Sequence, residues 1–416
     1  MNPDEFNAAS PGRLVRIPEG VHAFVPNAIP RQMAFPARTL RLLGNAEHAI
    51  GTLAGMLLRE LNPYLVASPL LRREALLSSR IEGTYTTPKD LVLFEALEDP
   101  PVALESRPED GREVANYIRA MNYGLQRLGE LPMSLRFLRE IHEKLLAGVR
   151  GDDERPGEFR TVQNFIGRRG DQIGNARYVP PPVQEMGPLL DDFERYLHEK
   201  SEDTPPLLIR LALVHYQFEA IHPFRDGNGR IGRLLIPLLL CSEDRLEKPL
   251  VYLSAHFDKH RQTYIDLMLG VSQRGEWTSW IDFFLEAVIA CARESACQAQ
   301  GLLNLRSKYL ERFRSARSSA FLQKLVERLF ARPVITISDA ASLLQVTPAA
   351  AASNIGKLVE AGIVQEITGR RRNQLFLATE IMNFIDAYAA AAPQPQAPPT
   401  DAGVTVVPQP SGEKSG

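Results

Sequence analysis

The sequence predicts a mainly α-helical protein, a helical bundle carrying small β-hairpins, and three observations carry that prediction. Apolar residues recur at helical spacing over most of the chain. Alternating, β-like pieces are confined to two stretches, 156–182 and 363–377. Of the 416 residues, 44% are hydrophobic and 24% charged, which allows a sizeable core and excludes wholesale disorder and fibrous structure. The length suggests two or three domains at roughly 150 residues each. With 48 basic and 50 acidic residues the net charge is -2, so the whole chain offers no electrostatic case for nucleic acid or an acidic membrane. The longest apolar run, Leu234 to Cys241, has eight residues and includes Pro237, far short of a membrane span. Met1 to Ser10 has no basic-then-apolar signal pattern. A cytoplasmic protein without a membrane partner is expected. The three cysteines, Cys241, Cys291 and Cys297, form no disulfide framework or zinc motif.

In chain order, the first forty residues contain Pro11, Pro18, Pro26, Pro30 and Pro36 and read as an irregular arm wrapping the surface. Leu40, Leu43, Ile50, Leu53 and Leu57 then mark a helix. Asn62-Pro63 breaks it, and a second helix is expected over Ser68 to Arg80. Helices follow over Arg112 to Leu128 and Ser134 to Ala147. The Gly-, Arg- and Pro-rich stretch Pro156 to Pro182 reads as a β-hairpin around Gly167 to Gly170. Helices resume at Val183 to Lys200, Pro206 to Glu219, Ile231 to Leu240 and His256 to Gln273, and an almost continuous one runs from Thr278 to about 330. Beyond it, Ser338 is the expected cap of one short helix, and Thr347 with Pro348 starts the next. Two alternating runs then flank Thr368 to Asn373. This is helix, turn, helix, hairpin: the winged-helix order. From Ala389 the chain is Ala-, Pro- and Gln-rich, and a disordered tail is expected. The divisions are an arm and helical region over 1–110, a core over 111–300, a helical connector over 301–331, the winged-helix-like domain over 332–388 and the tail over 389–416.

The segment Ile221-His222-Pro223-Phe224-Arg225-Asp226-Gly227-Asn228-Gly229-Arg230-Ile231-Gly232-Arg233 carries the chemistry. It reads as a loop delivering into a helix N-terminus. Gly227 and Gly229 permit positive backbone angles and close approach to a ligand. Successive backbone N–H groups there form an anion nest, to which the helix adds its positive end. Arg230 and Arg233 share one face and suit a polyphosphate. Asp226 is a hard oxygen ligand for Mg²⁺ bridging phosphates. His222 is the nearby group able to take a proton near pH 7. These are parts for attack of a hydroxyl on a nucleotide phosphate.

The segment resembles the Fic family active-site motif, HxFx(D/E)GNGRxxR, at every specified position. Ser78 with Arg80-Ile81-Glu82-Gly83 resembles the family's inhibitory motif, (S/T)xxxE(G/N). Glu113, Asn116 and Tyr117 resemble the start of the family core. Gly157-Glu158-Phe159-Arg160 with Gln163 to Gly167 resembles its hairpin flap, and Trp277 to Leu285 its closing helix. The resemblance covers roughly residues 35 to 300. It implies a Fic helical-bundle core with a β-hairpin flap, an N-terminal helical inhibitory region and a C-terminal winged helix. It also implies transfer of AMP from ATP to a Ser, Thr or Tyr hydroxyl of a target protein, with release of pyrophosphate.

By that resemblance His222 is the general base and Asp226 holds Mg²⁺. Gly227, Asn228 and Gly229 cradle the phosphates, with Ile231 and Gly232 counted in the same nucleotide-binding stretch. Arg230 contacts the outer phosphates and Arg233 the γ-phosphate. Ile166, Gly167, Arg168 and Arg169 belong to a flap that covers the nucleotide and can add the target as an extra strand. Tyr264 and Ile265 match adenine-side positions, although Tyr264 reads equally as a core tyrosine. Ser78, Glu82 and Gly83 form the brake, with Glu82 pairing Arg233 and denying it to ATP. Removal of AMP from a modified target, self-modification and homodimer formation remain compatible with the sequence. A DNA-binding regulator with a nucleotide-sensing core is the alternative. Residues 332–377 carry five basic and three acidic side chains, including Arg370, Arg371 and Arg372, and only Ser353, Asn354 and Lys357 offer polar contacts on the second helix. Protein docking therefore suits that domain as well as DNA binding.

Overall fold

The computed structural model describes residues 1–57, 62–96, 104–149, 155–167, 170–201, 204–314, 319–386 and 403–406. Its N-terminal forty residues are more regular than the expected arm. Strands β1 (Gly12–Arg16) and β2 (His22–Pro26) pair antiparallel, with Gly12 opposite Pro26 and Arg16 opposite His22. Of the prolines that suggested an arm, Pro11 sits before β1, Pro18 in the turn and Pro26 at the end of β2, where a strand tolerates a missing N–H, while Pro30 and Pro36 lie in the irregular segment before α1. Phe24 and Val25 are buried by this hairpin.

Helices α1 (Ala37–Leu57) and α2 (Tyr64–Ile81) flank the Asn62-Pro63 break. α2 begins one turn before the expected Ser68 and takes Pro69 inside it. α3 (Pro88–Ala96) was not legible, because nine residues are too few to show a period. α4 (Pro108–Arg127) follows. α5 (Leu135–Leu146) is capped by Ser134, whose hydroxyl accepts from the Phe137 amide. After β3 (Asn164–Gly167) come α6 (Val183–His198), α7 (Leu207–Ile221), α8 (Asn228–Ser242), α9 (Ser254–Lys259), α10 (Arg261–Arg274) and α11 (Trp277–Glu311). α7 is buried on nearly every side, which its almost wholly apolar sequence requires. α1 packs along α11, where the Thr39 hydroxyl donates to Asp282 at 2.6 Å. Trp280 of α11 is fully buried, stacks on His215 of α7 and donates its indole N–H to the Ala212 carbonyl at 2.9 Å. Among the described residues no helix is long and apolar enough to cross a membrane.

The C-terminal module runs α12 (Ser319–Ala331), β4 (Val334–Thr336), α13 (Ile337–Leu344), α14 (Pro348–Glu360), β5 (Gln365–Glu366), β6 (Leu375–Leu377) and α15 (Thr379–Asp386). Its sheet has the order β4-β6-β5. The cap of α13 is Thr336 rather than Ser338. Thr336 accepts from the Asp339 amide while Asp339 accepts from the Thr336 amide, a reciprocal box two residues earlier than expected. Thr347 and Pro348 start α14 as expected. Asn354 is turned inward and donates to the Ala350 carbonyl, which removes one of the three polar contacts foreseen on that helix.

The flap also differs from the expected hairpin. β3 meets its return segment only at the bridge Ile166–Tyr178, where the two residues exchange backbone hydrogen bonds. Pro180, Pro181 and Pro182 follow directly and have no N–H to continue a ladder. β3 pairs instead with β7 (Gly403–Val406), antiparallel, with Asn164 opposite Val406 and Gly167 opposite Gly403. Four residues of the tail expected to be disordered are thus a strand.

Trp280→Ala should lower the stability of the bundle by about 3–5 kcal/mol through the cavity it leaves. Trp280→Phe should cost about 1–3 kcal/mol, from the lost indole hydrogen bond and the space left by the smaller ring, since the Ala212 carbonyl keeps its place in the α7 ladder. Urea unfolding of the two variants beside the parent chain checks the order.

Candidate active site

The motif loop joins α7 to α8, and both junctions are left-handed. His222 ends α7 with φ 51°, and Gly227 starts α8 with φ 77°. A histidine held at positive φ needs its surroundings to fix it. Arg160, almost fully buried, does this from the flap side. Its guanidinium donates to the carbonyls of His222 (2.9 Å), Val162 (3.2 Å) and Pro181 (2.5 Å). Asn228 folds back to accept from the Phe224 amide and donate to its carbonyl, both at 2.8 Å, and Asn164 donates to the same carbonyl at 3.0 Å. His142 of α5 stacks on Phe224, accepts from the Gly157 amide at 2.9 Å, and therefore donates from Nε2 to the Asp226 carbonyl at 3.0 Å. No side chain caps α8, so the amide groups of its first turn remain open donors.

The loop borders a cavity of about 720 Å³. Ile166 and Gly167 of β3 line one side, Tyr264 and Ile265 of α10 another, and Glu82 at the end of α2 a third. His222, Asp226, Gly227, Asn228, Gly229 and Arg233 all face it. Arg230, Ile231 and Gly232 are buried and are not among its lining residues. Arg230 instead forms an ion pair with Glu113, itself held by the Thr84 hydroxyl at 3.1 Å, and lies 3.6 Å from Asp226. Its place is behind the loop, as a buried strut joining α4 to α8. Gly232 leaves room for Glu219, since a Cβ there would meet the Glu219 carboxyl at 2.3 Å. Arg168 and Arg169 lie outside the described residues. Tyr264 belongs to both of its readings: it lines the cavity, and its hydroxyl donates to His215 Nε2 at 2.8 Å deep in the core.

Burial, followed by the nearby charge of Arg160, pushes the His222 imidazole down to about 4. The ring is neutral at pH 7. Nδ1 lies 3.3 Å from the Glu219 carbonyl, an acceptor, so Nδ1 carries the proton. Nε2 is left bare, buried and without a protein partner, which is the form a base needs. Glu219 sits one turn earlier on α7, with its carboxyl 3.9 Å from Nδ1. Burial pushes that carboxyl up to about 8 despite the opposing charge of Arg233, so it is mostly protonated at pH 7. The sequence reading missed Glu219 and His142. The i, i+3 spacing of Glu219 from His222 was the signal available for the first; His142 gave none.

Glu82 and Arg233 meet at 2.7 Å. Arg233 also donates from Nε to the Ser78 hydroxyl (2.9 Å) and from Nη2 to the Ser78 carbonyl (3.0 Å). Gly83, at φ 84°, ends the helix behind Glu82. Gly229 makes room for the pair: a Cβ there would lie 2.2 Å from Glu82 Oε1 and 2.9 Å from Arg233 Nη1. Among the described residues no group of three His, Cys, Asp or Glu side chains gathers to hold a metal ion, and Asp226 is the carboxylate offered at the uncapped helix end.

The Fic/DOC family profile matches residues 132–240, and that of the Fic/DOC family N-terminal region matches residues 40–126. The protein adenylyltransferase Fic of Drosophila yakuba is 32% identical over 162 residues, 38% of this chain and 30% of that protein. The protein of the same name from Aedes aegypti is 32% identical over 154 residues, 37% of this chain and 27% of that one. The similarity thus spans less than a third of these relatives' length. The crystal structure of a Fic family protein from Desulfovibrio desulfuricans superposes with a TM-score of 0.55 at 19% identity, covering 84% of this chain and 98% of that one, which is a likeness of fold. The motif loop is intact, residues 40–126 and 132–240 are similar in order to the two Fic/DOC family regions, and the bundle shares the fold of a Fic family protein.

Proposed function

We propose that the protein transfers AMP from ATP to a Ser, Thr or Tyr hydroxyl of a target protein, and that Glu82 holds it latent. The observation that carries this reading is the bare Nε2 of a neutral, buried His222 beside an uncapped helix N-terminus in a cavity of nucleotide size. His222 Nε2 takes the hydroxyl proton as the oxygen attacks the α-phosphorus. The bond from that phosphorus to the bridging oxygen breaks, and pyrophosphate leaves with the electron pair. The first-turn amides of α8 point at oxygens on which charge grows, and they need no reorganisation to do so.

Asp226 fits Mg²⁺ arriving with the nucleotide, since that ion keeps several waters and takes one or two carboxylates plus phosphate oxygens. Bound there, the ion would neutralise charge on the phosphates. Ile166, Gly167, Tyr264 and Ile265 suit the flap and base-side walls. Arg230 acts through Glu113 and Asp226 rather than by direct contact.

Latency rests on Arg233. Its three donations to Ser78 and Glu82 occupy the fork that a γ-phosphate would need. A nucleotide entering beside Glu82 also meets a carboxylate where its own charge is highest. The same carboxylate can assist removal of AMP from a modified target, which makes a second activity of one site. The inward turn of Asn354 favours a protein-directed role for the C-terminal module over base readout.

With ATP labelled on the α-phosphate, Glu82→Gly should raise labelling of the chain or of lysate proteins roughly tenfold or more, the factor that ~1.4 kcal/mol supplies. Glu82→Gly/His222→Ala should lose about 10²–10⁴ of that rate. Label from the γ-phosphate alone would mean phosphoryl transfer and overturn the reading.

The imidazole makes a separate prediction. Between its ordinary value of 6.5 and its folded value of about 4, the unfolded chain binds the proton and the folded chain does not. Stability from His222 is therefore complete above about pH 6.5 and declines as pH falls towards 4. Ring resonances of the nucleotide-free protein should still report a neutral His222 at about pH 5.5, whereas a mid-point near 6.5 would refute the buried-base geometry.

A further inference from the structure

A second cavity, of about 480 Å³, lies between α2, α4 and α12, away from the motif loop. Arg72, Glu95, Asn122, Arg328 and Arg332 give it its polar lining. Arg72 is 4% exposed. Its Nε and Nη2 donate to Glu95 at 2.6 and 3.1 Å, and Nη2 donates also to the Ala331 carbonyl at 2.7 Å. Its Nη1 is buried with no partner. Arg328 likewise has a buried Nη1 with no partner. Burial lowers the affinity of Arg328 for its proton, and the charges of Arg332 and Arg72 lower it further, against opposing help from Asp339 and Glu95. Among the described residues Glu95 is the only carboxylate within ion-pair distance of any of the three arginines, and it pairs with Arg72. Three guanidinium groups thus converge on one cavity with one carboxylate between them.

Such an arrangement is unfavourable as it stands. Like charges in a partly desolvated space repel, and a buried N–H without an acceptor is left desolvated with nothing in return. A doubly charged anion with several acceptor oxygens relieves both, because two guanidinium forks can share it.

We infer that this cavity is a binding site for a small ligand bearing a phosphate group, held between Arg72, Arg328 and Arg332. Bound there, the ligand bridges α2, which ends in the Ser78–Glu82 brake, to α12, the first helix of the C-terminal module. The inference does not depend on AMP transfer.

The test uses the full chain and inorganic phosphate as probe, with sodium chloride at matched ionic strength as control. Arg328→Ala/Arg332→Ala leaves the motif cavity untouched, so phosphate bound at α8 is separated from phosphate bound here. Calorimetric titration of the parent chain should show saturable phosphate binding that weakens at least tenfold in the double variant. Without phosphate, the double variant should melt no lower than the parent, because removing uncompensated like charge relieves repulsion. Equal binding by both proteins, or none beyond the chloride control, would overturn the proposal. So would a double variant that binds no phosphate but melts well below the parent, since the arginines would then be structural. Loss of duplex DNA binding in that variant, with no phosphate binding by the parent, would make the cluster a nucleic-acid backbone contact and also overturn the small-ligand reading.

Discussion

The site depends on one constraint: the loop of six residues from His222 to Gly227 must turn twice through left-handed backbone and still present its donors to a cavity. Neither turn is held by its own sequence alone. Arg160 captures carbonyls from both the flap and the loop, Asn164 and Asn228 share the Phe224 carbonyl, and His142 pins Asp226. These are bonds from buried side chains to backbone carbonyls, and removing Arg160 or His142 leaves acceptors in the loop without their side-chain donor, whereas the Phe224 carbonyl has two. The amides of α8 stay free because other groups do the tethering. Rigid support behind and open donors in front is the arrangement that lets fixed dipoles act on growing charge without moving.

The brake uses the same economy of space. Arg233 lies on the second turn of α8, one helical turn beyond Gly229, and Glu82 comes from the end of α2 across the cavity. Their contact exists only because position 229 has no side chain. On the reading proposed above, the residue that would let a phosphate approach the backbone is also the one that lets Glu82 reach Arg233, so nucleotide cradle and inhibitory pair would compete for one opening. Ser78, one turn before Glu82, holds the other side of the guanidinium and fixes the direction from which the fork is occupied.

Much of this was legible in the sequence, and the exceptions have physical causes. Long amphipathic helices such as α4 and α6 declare their period, and Thr347-Pro348 declares a start. α3 is too short to do so. The prolines near residues 11 to 36 marked breaks but not the hairpin between them, because edge positions tolerate proline. The return strand of the flap was overread, since Tyr178-Val179 looks like a strand until three prolines deny it a ladder. At the site, the motif's spacing grouped His222, Asp226, Arg230 and Arg233, and three of the four line the cavity while Arg230 does not. Its type and position suit a phosphate, yet Glu113, 117 residues away, had already claimed it. A long-range partner is what local pattern cannot show, and Glu95 for Arg72 is a second case.

Protonation decides how the cavity looks to a nucleotide. His222 is neutral and Glu219 is mostly protonated at pH 7, both chiefly through burial. The charges left facing the cavity from the loop and the brake are Arg233, Asp226 and Glu82. Arg233 and Glu82 cancel while paired, and Asp226 is within 3.6 Å of Arg230 behind the loop. The charges of loop and pair are thus nearly balanced at rest, while Asp171, Arg177 and Arg261 complete the charged lining. On the proposed reading, separating Glu82 from Arg233 would remove a carboxylate and turn a guanidinium fork toward the phosphates, with the amides of α8 acting in the same direction. Because the medium is partly desolvated, the change in field is larger than the same displacement would give at the surface. On that reading one ion pair would govern both the partner of the γ-phosphate and a large part of the cavity's pull on the nucleotide.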